Sequence, residues 1–298
     1  MKPIIDGNFI AMLESRDLYV HRPMDGLFGG NRRSKKYGSS AEFAEYREYV
    51  EGDDLRRIDW NLFARFEKLF LKLYVDERQL HHRIYLDASA SMDWGQPNKG
   101  HLALKLMAAL CFLGVQAMDR VSLYVIHGAH CELLCPTIVG REAFYNAAGK
   151  LNSVRFFGES DLGKALCAEQ DPGKDDGVSI LISDFLTDED WGQGVDYLLY
   201  KGREMQLVQV LSPDEVTPDT RGKVFFLDSE AVEEEDGRNV RFEVNRFAVK
   251  AYEEALLYHQ NQLRQFCQAR GVGFLTFGSD ESIEKILFMK ATEEGLIR

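Results

Sequence analysis

The sequence predicts an α/β protein with a mostly parallel sheet and helices on both faces. From Arg83 to the end of the chain, short apolar runs alternate with helical patterns, which is typical of strands joined by covering helices. The runs are apolar almost throughout, as in strands buried on both faces. Two of them end in an aspartate, Asp87 and Asp184. Together these features predict an open sheet with acidic groups at one edge.

The predicted elements alternate along the chain. The strands are residues 83–87, 120–127, 131–135, 178–184, 205–211 and 273–277. The helices lie near residues 100–118, 141–151, 161–169, 190–201, 246–270 and 282–289. Residues 131–135 follow their neighbour through a short turn at Gly128 and Ala129, so we expect an antiparallel edge strand. Two apolar runs flanking the acidic residues 230–238 predict a β-hairpin insert near residues 222–245.

Residues 1–79 are predicted to form an extension in front of the α/β domain, which spans residues 80–298. Apolar residues near Phe9, Met12 and Leu13 indicate an irregular or short helical lead-in. A capping-box pattern at residues 39–42 precedes apolar residues at helical spacing, so we expect a helix there. Those apolar residues are Phe43, Tyr46, Tyr49 and Val50. Alternation over residues 69–75 predicts a strand.

Acidic and basic side chains crowd together after this predicted helix. They are Asp53, Asp54, Arg56, Arg57, Asp59, Arg65, Glu77 and Arg78. They allow two interpretations, a docking surface or charge pairs that tie this segment onto the domain. We favour the second, because arginine–carboxylate pairs are common structural clasps.

The composition is that of an ordinary globular protein. Of 298 residues, 45% are hydrophobic and 28% are charged, and the net charge of −12 argues against nucleic acid or an anionic membrane as the main partner. The start of the chain lacks a signal-peptide pattern, and we expect no membrane span. The five cysteines include no Cys-x-x-Cys pair. We therefore expect a reducing, cytoplasmic setting.

Oxygen-bearing side chains gather where the strand at residues 83–87 ends. Asp87, Ser89 and Ser91 occupy alternate positions in a polar loop before a helix. Magnesium takes oxygen ligands in octahedral geometry and keeps several waters, so one carboxylate and two hydroxyls can hold one side of that octahedron. The same residues also suit a helix cap that pins the loop. The triplet alone leaves both interpretations open.

Two later segments favour the cation. Ser160 places a hydroxyl on a loop before a helical pattern, and Asp184 ends a second apolar strand. Parallel strands that end in acids at the same edge of a sheet can face one point in space. A cation at that point would be bound by few protein charges, so an outside carboxylate could complete its coordination.

Residues Asp87 to Ser91, Asp-Ala-Ser-Ala-Ser, resemble the Asp-x-Ser-x-Ser motif of von Willebrand factor type A domains. That motif is the core of their metal-ion-dependent adhesion site. The resemblance implies that Ser160 and Asp184 complete a site for Mg²⁺ or Mn²⁺, and that a partner protein supplies the last carboxylate. Ser160 stands where the family pattern has threonine, which keeps the hydroxyl but loses the methyl group that restricts its rotamers.

The preceding segment resembles a narrower family. The string Arg-Glu-Tyr, Gly-Asp-Asp and Arg-Arg-Ile-Asp-Trp between Arg47 and Trp60 is similar to the signature of the domain-of-unknown-function-58 family. These bacterial proteins carry a von Willebrand A-like domain and are typically encoded beside MoxR-type AAA+ ATPases. The resemblance runs from about Gly30 to the C-terminus. It implies that such an ATPase, or a client delivered to it, is the partner.

Other chemistries fit less well. His127, His130, Cys131 and Cys135 cluster near a turn, but their spacing matches no common zinc pattern and a strand would scatter them over two faces. Asp87 could be a phosphatase-type nucleophile, yet the alternate positions carry hydroxyls, which suit ligation better. No nucleotide-binding loop or nucleophile elbow is present in the sequence. We expect a metal-dependent binding module rather than an enzyme. The alternatives are a metal-dependent hydrolase using the same site and a scaffold with an empty site.

Overall fold

The chain folds into two compact units in the computed structural model. One unit comprises Met1–Gly30 and Leu80–Arg298, and the other comprises Asn31–Gln79. The structure describes residues 3–15, 43–51, 53–74, 80–168, 178–187, 189–218, 222–226, 240–244 and 246–287.

The strands and helices within these ranges are numbered in chain order. The strands are β1 (Phe43–Glu48), β2 (Phe70–Tyr74), β3 (His81–Asp87), β4 (Arg120–His127), β5 (His130–Ile138), β6 (Val178–Ser183), β7 (Glu204–Leu211), β8 (Gly222–Phe226), β9 (Val240–Val244) and β10 (Gly273–Gly278). The helices are α1 (Gly7–Ser15), α2 (Trp60–Phe66), α3 (Lys99–Gln116), α4 (Gly140–Leu151), α5 (Leu162–Cys167), α6 (Trp191–Tyr200), α7 (Pro213–Val216), α8 (Arg246–Arg270) and α9 (Ile283–Lys285). None of these helices combines the length and apolarity that crossing a membrane requires.

A six-stranded sheet organises the larger unit, in the order β10-β7-β6-β3-β4-β5. Every neighbouring pair is parallel except β4 and β5, which are antiparallel. The strand order reverses between β3 and β6, so these strands, distant in sequence, lie side by side. The crevice at such a reversal, outside the carboxyl ends of the strands, is where open α/β sheets bind ligands.

Two hydrophobic cores cover the faces of the sheet. Ile84 of β3 belongs to the core formed with α3 and α4, whereas its neighbour Tyr85 belongs to the core formed with α5, α6 and α8. Ile180 and Leu181 of β6 divide in the same way. Successive side chains of a strand point to opposite faces, so strands covered on both faces must be apolar throughout. The predicted α/β fold, a mostly parallel sheet with helices on both faces, is confirmed.

The individual predictions for this unit hold with small shifts at element ends. The six strands and the major helices lie where they were predicted, and β5 is the antiparallel edge strand. The hairpin insert is present as β8 and β9, which pair from Gly222 with Val244 to Phe226 with Val240. The predicted helix at residues 282–289 is described as α9, and its last two residues lie outside the described ranges. The acidic residues 230–238 also lie outside them.

Helix α1 confirms the predicted short helical lead-in. Phe9 and Leu13 are buried in the same core as α3. The Asn152 side chain accepts a hydrogen bond from the Ile5 amide at 2.9 Å and donates to the Ile5 carbonyl at 3.1 Å. The helix that the sequence analysis grouped with the N-terminal extension therefore packs into the larger unit.

The prediction of a helix after the capping-box pattern is wrong for the part that the structure describes. Residues Phe43–Glu48 form β1, which pairs antiparallel with β2, and Glu48 lies opposite Phe70. Tyr46 and Val50, part of the expected apolar stripe, are exposed. Strand pairing with β2 decides the backbone here, and spacing within one segment carries no information about that pairing. The capping-box residues 39–42 lie outside the described ranges.

Charge pairs bind the smaller unit together internally. Asp59 caps α2 by accepting hydrogen bonds from the Asn61 and Leu62 amides, and it also contacts the Lys72 ammonium at 3.0 Å. The hydrogen bond from Lys72 is the largest influence that lowers the pKa of Asp59. Arg47 and Asp53 form a second pair at 2.7 Å. Glu77 and Arg78 lie outside the described ranges.

Two glycine substitutions test the packing of α5 against α6. A methyl group on Gly163 would overlap the carbonyl oxygen of Asp190, whereas one on Gly149, exposed in α4, would meet nothing within 4 Å. We expect Gly163→Ala to lower the free energy of unfolding by about 1–3 kcal/mol through overpacking. Gly149→Ala should raise it by about 0.5–1 kcal/mol, because alanine is the better helix former.

Urea denaturation of both variants beside the wild type measures these changes. Stabilisation by both substitutions would contradict the close approach of α5 to the residue that precedes α6.

Candidate metal centre

The candidate site lies where β3 and β6 end side by side. Arg83 to Leu86 of β3 pair with Ser179 to Ile182 of β6, so the next residues, Asp87 and Ser183, emerge at the same edge. Both side chains are buried, as is that of Asp184. Ser183 donates a hydrogen bond of 2.6 Å to Oδ2 of Asp87. The structure thus brings together two of the acids predicted from sequence.

The loop after β3 arranges the two predicted hydroxyl ligands. The Ser89 amide donates to Oδ1 of Asp87 at 3.0 Å, which turns the chain back over the carboxylate. The Ser89 and Ser91 hydroxyl oxygens lie 3.0 Å apart. Two adjacent ligands of an octahedral Mg²⁺, each about 2.1 Å from the ion, are separated by about 3 Å. The spacing of the hydroxyls therefore fits one edge of a magnesium octahedron.

The helix-cap interpretation of these serines does not fit the geometry. Ser89 occupies the N-cap position of a 3₁₀ turn at residues 90–92, but its side chain makes no capping hydrogen bond. The following helix, α3, is capped by Asn98, whose side chain accepts from the His101 amide at 3.0 Å. Asp87 does pin the loop, because its carboxylate accepts from the Ser89 amide. The loop-pinning role therefore applies to the Asp87 carboxylate, whereas the serine hydroxyls do not cap a helix.

Backbone hydrogen bonds hold the Ser160 loop against the same edge. The Ala90 amide donates to the Gly158 carbonyl at 2.8 Å, and the Phe157 amide donates to the Ala88 carbonyl at 3.0 Å. Ser160 itself forms a parallel bridge with Gly128, just beyond the end of β4, and its side chain is buried. The structure therefore places the loop of Ser160 beside the loop of Ser89, as the resemblance to the type A domains implied.

Asp184 is engaged through both carboxylate oxygens. Oδ1 accepts from the Leu186 amide at 3.0 Å, and Oδ2 accepts from the Lys99 ammonium at 2.6 Å. Lys99 is fully buried and also reaches Oε1 of Glu215 at 2.5 Å. The second oxygen of Glu215 accepts from the Ser212 amide at 2.8 Å.

The turn between Asp184 and Leu186 is strained and held from two sides. Phe185 has a φ of 54°, in the left-handed region that bulky residues rarely adopt. Its amide donates to the Ser183 hydroxyl at 3.0 Å, and its carbonyl accepts from Nε2 of His259 in α8 at 2.8 Å. Such conformations persist where surrounding contacts over-determine them, and they cluster at functional sites.

Sequence reasoning missed three residues of this cluster, namely Ser183, Lys99 and Glu215. Ser183 was visible as the residue directly before Asp184 in the predicted strand at residues 178–184. Glu215 could have been found from the sequence, because Ser212 and Glu215 have the spacing of a capping box. The structure forms this capping box, in which the Glu215 side chain accepts from the Ser212 amide. Lys99 carried none, because a lysine in a Pro-Asn-Lys-Gly turn is typical of solvent-exposed chain.

The buried charges influence one another. Burial, and then the neighbouring Asp184 carboxylate, raise the pKa of Asp87, while the hydrogen bonds from Ser183 and Ser89 oppose the rise. Burial lowers the pKa of Lys99, but the Asp184 and Glu215 carboxylates outweigh it, so the net shift is upward. A buried carboxylate whose charge is disfavoured in this way gains stability from a bound cation or proton.

The donor set suits a hard divalent cation. It consists of carboxylate and hydroxyl oxygens, which magnesium and manganese prefer. The zinc alternative finds no support in the described ranges, where no three histidine, cysteine, aspartate or glutamate side chains are placed so that they alone could hold a metal ion. On the β4–β5 pair His127 lies opposite His130, whereas Cys135 lies opposite Leu123, several positions away.

Substituting Asp87 should change how stability depends on pH in the chelator-treated protein. The pKa of Asp87 is raised in the folded state, so its favourable contribution is complete below the unfolded pKa and is lost as pH rises through the folded pKa. Asp87→Asn cannot ionise and avoids this loss. Its free energy of unfolding, relative to wild type, should therefore increase from acidic to neutral pH in urea titrations with EDTA.

Asp161→Asn serves as the control of opposite sign. Burial raises the pKa of Asp161, but hydrogen bonds from Lys164 outweigh it and the net shift is downward. Its carboxylate therefore stabilises the fold above the unfolded pKa. The free energy of unfolding of the variant, relative to wild type, should decrease as pH rises. A constant difference between Asp87→Asn and wild type at all pH values would refute the upward shift at Asp87.

Fold and site together define an α/β protein with a candidate cation site at the carboxyl ends of β3 and β6, where the strand order reverses. Residues 45–262 match the sequence profile of the family described as "Protein of unknown function DUF58", and the chain belongs to that family. The family description and the names of the relatives state no function. They indicate no enzymatic activity either way.

Curated relatives and solved structures extend the comparison. Uncharacterized proteins of Mycobacterium tuberculosis and Mycobacterium bovis are each 28% identical over 233 residues, covering 76% of this chain and 73% of theirs. The von Willebrand A domain of SpRpn10 aligns with a TM-score of 0.39 and 9% identity, covering 69% of this chain and 92% of that one. Proximal thread matrix protein 1 from the mussel byssus aligns with a TM-score of 0.39 and 14% identity, covering 72% of this chain and 44% of that one.

Proposed function

We propose that this protein is a metal-dependent protein-binding module. Asp87, Ser89 and Ser91 would hold Mg²⁺ or Mn²⁺, with Ser160 and Asp184 contributing directly or through water. The ion would supply an open coordination position for an anionic oxygen. A carboxylate from a partner protein fills that position.

The observation that carries this proposal is a set of exposed apolar side chains on the ligand-bearing loops. Trp94 follows Ser91 and is 54% exposed, Phe157 precedes Ser160 and is 57% exposed, and Leu186 follows Asp184 and is 38% exposed. We call these three side chains the apolar rim. Exposed aromatic and aliphatic groups around a polar centre are typical of protein interfaces, where they act as anchors.

The carboxylates favour ligation over nucleophilic catalysis. Both oxygens of Asp87 accept hydrogen bonds, from the Ser89 amide and the Ser183 hydroxyl. An oxygen that accepts a bond of 2.6 Å is a weakened nucleophile, yet it keeps a second lone pair for a metal or a metal-bound water. Binding therefore uses this geometry as it stands, whereas a hydrolase with Asp87 as its nucleophile would have to free one of these oxygens.

The partner proposed is a MoxR-type AAA+ ATPase or a client delivered to it. This rests on the signature between Arg47 and Trp60 and on membership of the family. The setting proposed is the cytoplasm, because the five cysteines are all free and a reducing compartment keeps them so.

Removing the two hydroxyls tests the ion site. Calorimetric titration of Mg²⁺ and Mn²⁺ into the chelator-treated wild type should give saturable heat. The double variant Ser89→Ala/Ser91→Ala should bind at least about tenfold more weakly, as is usual when metal-site contacts are lost. Ser153→Ala is the matched control, since its exposed hydroxyl bonds only to the Lys150 carbonyl.

Three outcomes separate the candidate functions. Binding in the wild type that weakens in the double variant but not in Ser153→Ala supports the ion site. Absence of binding in the wild type contradicts it and leaves a scaffold with an unused motif. Metal-dependent turnover of a phosphoester that disappears in Asp87→Ala would favour the hydrolase instead.

Removing the apolar rim tests the docking surface separately. Trp94→Ala/Phe157→Ala should weaken binding to the MoxR-type ATPase by at least about tenfold, because buried aromatic anchors carry much of an interface's energy. Magnesium affinity should stay unchanged. Tyr200→Ala is the control, because Tyr200 is 86% exposed at the end of α6, just before β7 begins and thus at the opposite edge of the sheet.

Biolayer interferometry with immobilised ATPase, in magnesium and in EDTA, provides the measurement. Equal losses in the rim variant and in Tyr200→Ala would contradict a docking surface at the candidate site.

A further inference from the structure

The buried ammonium of Lys99 is the feature of the candidate site that the proposed function leaves unexplained. Lysines are almost never fully buried unless they are paired. Lys99 is fully buried at the start of α3, with its ammonium between the Asp184 and Glu215 carboxylates at 2.6 and 2.5 Å. One cation is therefore shared between a predicted metal ligand and a carboxylate that no motif assigns to the metal.

The surrounding structure fixes both partners of Lys99. Glu215 is anchored by the Ser212 amide at the end of β7, and Gln209 of β7 donates to the backbone carbonyl of Asp184 at 2.8 Å. Helix α3 also begins against the ligand loop, since a methyl group on Gly100 would contact the Met92 carbonyl at 2.8 Å. Both carboxylates that contact the ammonium are therefore held in place by the end of β7.

The charges of this cluster balance a divalent cation. Asp87, Asp184 and Glu215 carry three negative charges when ionised, and Lys99 offsets one of them, which leaves minus two. A divalent ion makes such a site neutral, whereas a site without Lys99 would remain anionic after loading. Like charge repels an incoming carboxylate, strongly so at a buried site of low dielectric constant.

We propose that Lys99 and Glu215 are charge-setting residues that match the site to a divalent ion and keep the loaded site receptive to a carboxylate. This inference rests on the proposed function and adds to it the electrostatic basis of ion selection. Lys99 acts through Asp184, so it is a positioning and charge-setting residue and not a ligand.

Single and paired substitutions separate charge from structure. Lys99→Met makes the site more negative and should tighten Mg²⁺ binding by about tenfold or more, since unit charges a few ångströms apart interact strongly at partly buried sites. Glu215→Gln makes it less negative and should weaken binding by a similar factor. The double variant restores minus two and should return to within about threefold of wild type. Lys164→Met, which removes an exposed lysine of α5, should leave the affinity unchanged.

The ratio of the affinities for Tb³⁺ and Mg²⁺ distinguishes a charge effect from a purely structural role, because a structural role would not change this ratio. Terbium luminescence measures the affinity for Tb³⁺ in the absence of Mg²⁺. Calorimetry measures the affinity for Mg²⁺ in a separate titration. Added negative charge attracts a trivalent ion more than a divalent one. The preference for Tb³⁺ over Mg²⁺ should therefore rise in Lys99→Met and fall in Glu215→Gln, whereas loosening of the loop would weaken both ions together.

The outcomes distinguish this inference from the proposed function. Failure of the wild type to bind Mg²⁺ overturns both. Binding in the wild type with unchanged affinity and selectivity in Glu215→Gln overturns the charge-setting role alone, and this variant decides the matter if Lys99→Met does not fold. The charge-setting role is also overturned if both single variants bind Mg²⁺ more weakly than wild type and the double variant does not recover the wild-type affinity. Opposite shifts that cancel in the double variant support it.

Discussion

Two carboxylates buried at the end of adjacent parallel strands are the constraint on which the rest of this structure depends. A charge taken out of water is costly unless it is paired or hydrogen-bonded. Asp87 receives the Ser89 amide and the Ser183 hydroxyl, and Asp184 receives the Leu186 amide and the Lys99 ammonium. The four donors come from three segments, so the cost of burying two acids ties together the loop after β3, the end of β6 with its following turn, and the start of α3.

The sheet order explains why these acids meet. The reversal between β3 and β6 creates a crevice at the carboxyl edge, where open α/β sheets bind ligands. Below it, Leu86 and Ile182 are held by apolar packing. Above it, each chain leaves its strand and must satisfy its own polar groups. The polar loops and the apolar rim therefore lie together at this edge of the sheet.

The sequence could reveal the part of this arrangement that is local. Buried strands appear as apolar runs, so the strands and the acids that follow them could be placed, and the common edge of parallel strands implied that Asp87 and Asp184 converge. Lys99 could not be placed, because its partners lie 85 and 116 residues away in sequence. The error at β1 has the same origin, since residues 43–48 are extended because β2 pairs with them.

The Lys99 pair also bears on why a binding site would retain a buried salt bridge at all. Buried ion pairs contribute little net stability, because desolvation offsets most of their attraction, and apolar residues of similar size often do as well. A cluster kept for stability alone could therefore be replaced. What an apolar replacement cannot supply is a fixed charge beside the candidate ion. Lys99 and Glu215 supply such charges beside Asp184 without being ligands themselves, so in the proposed function the loaded site would hold a cation and still accept an anionic group from outside. Trp94, Phe157 and Leu186 then provide the apolar contact that a lone carboxylate on an ion would lack.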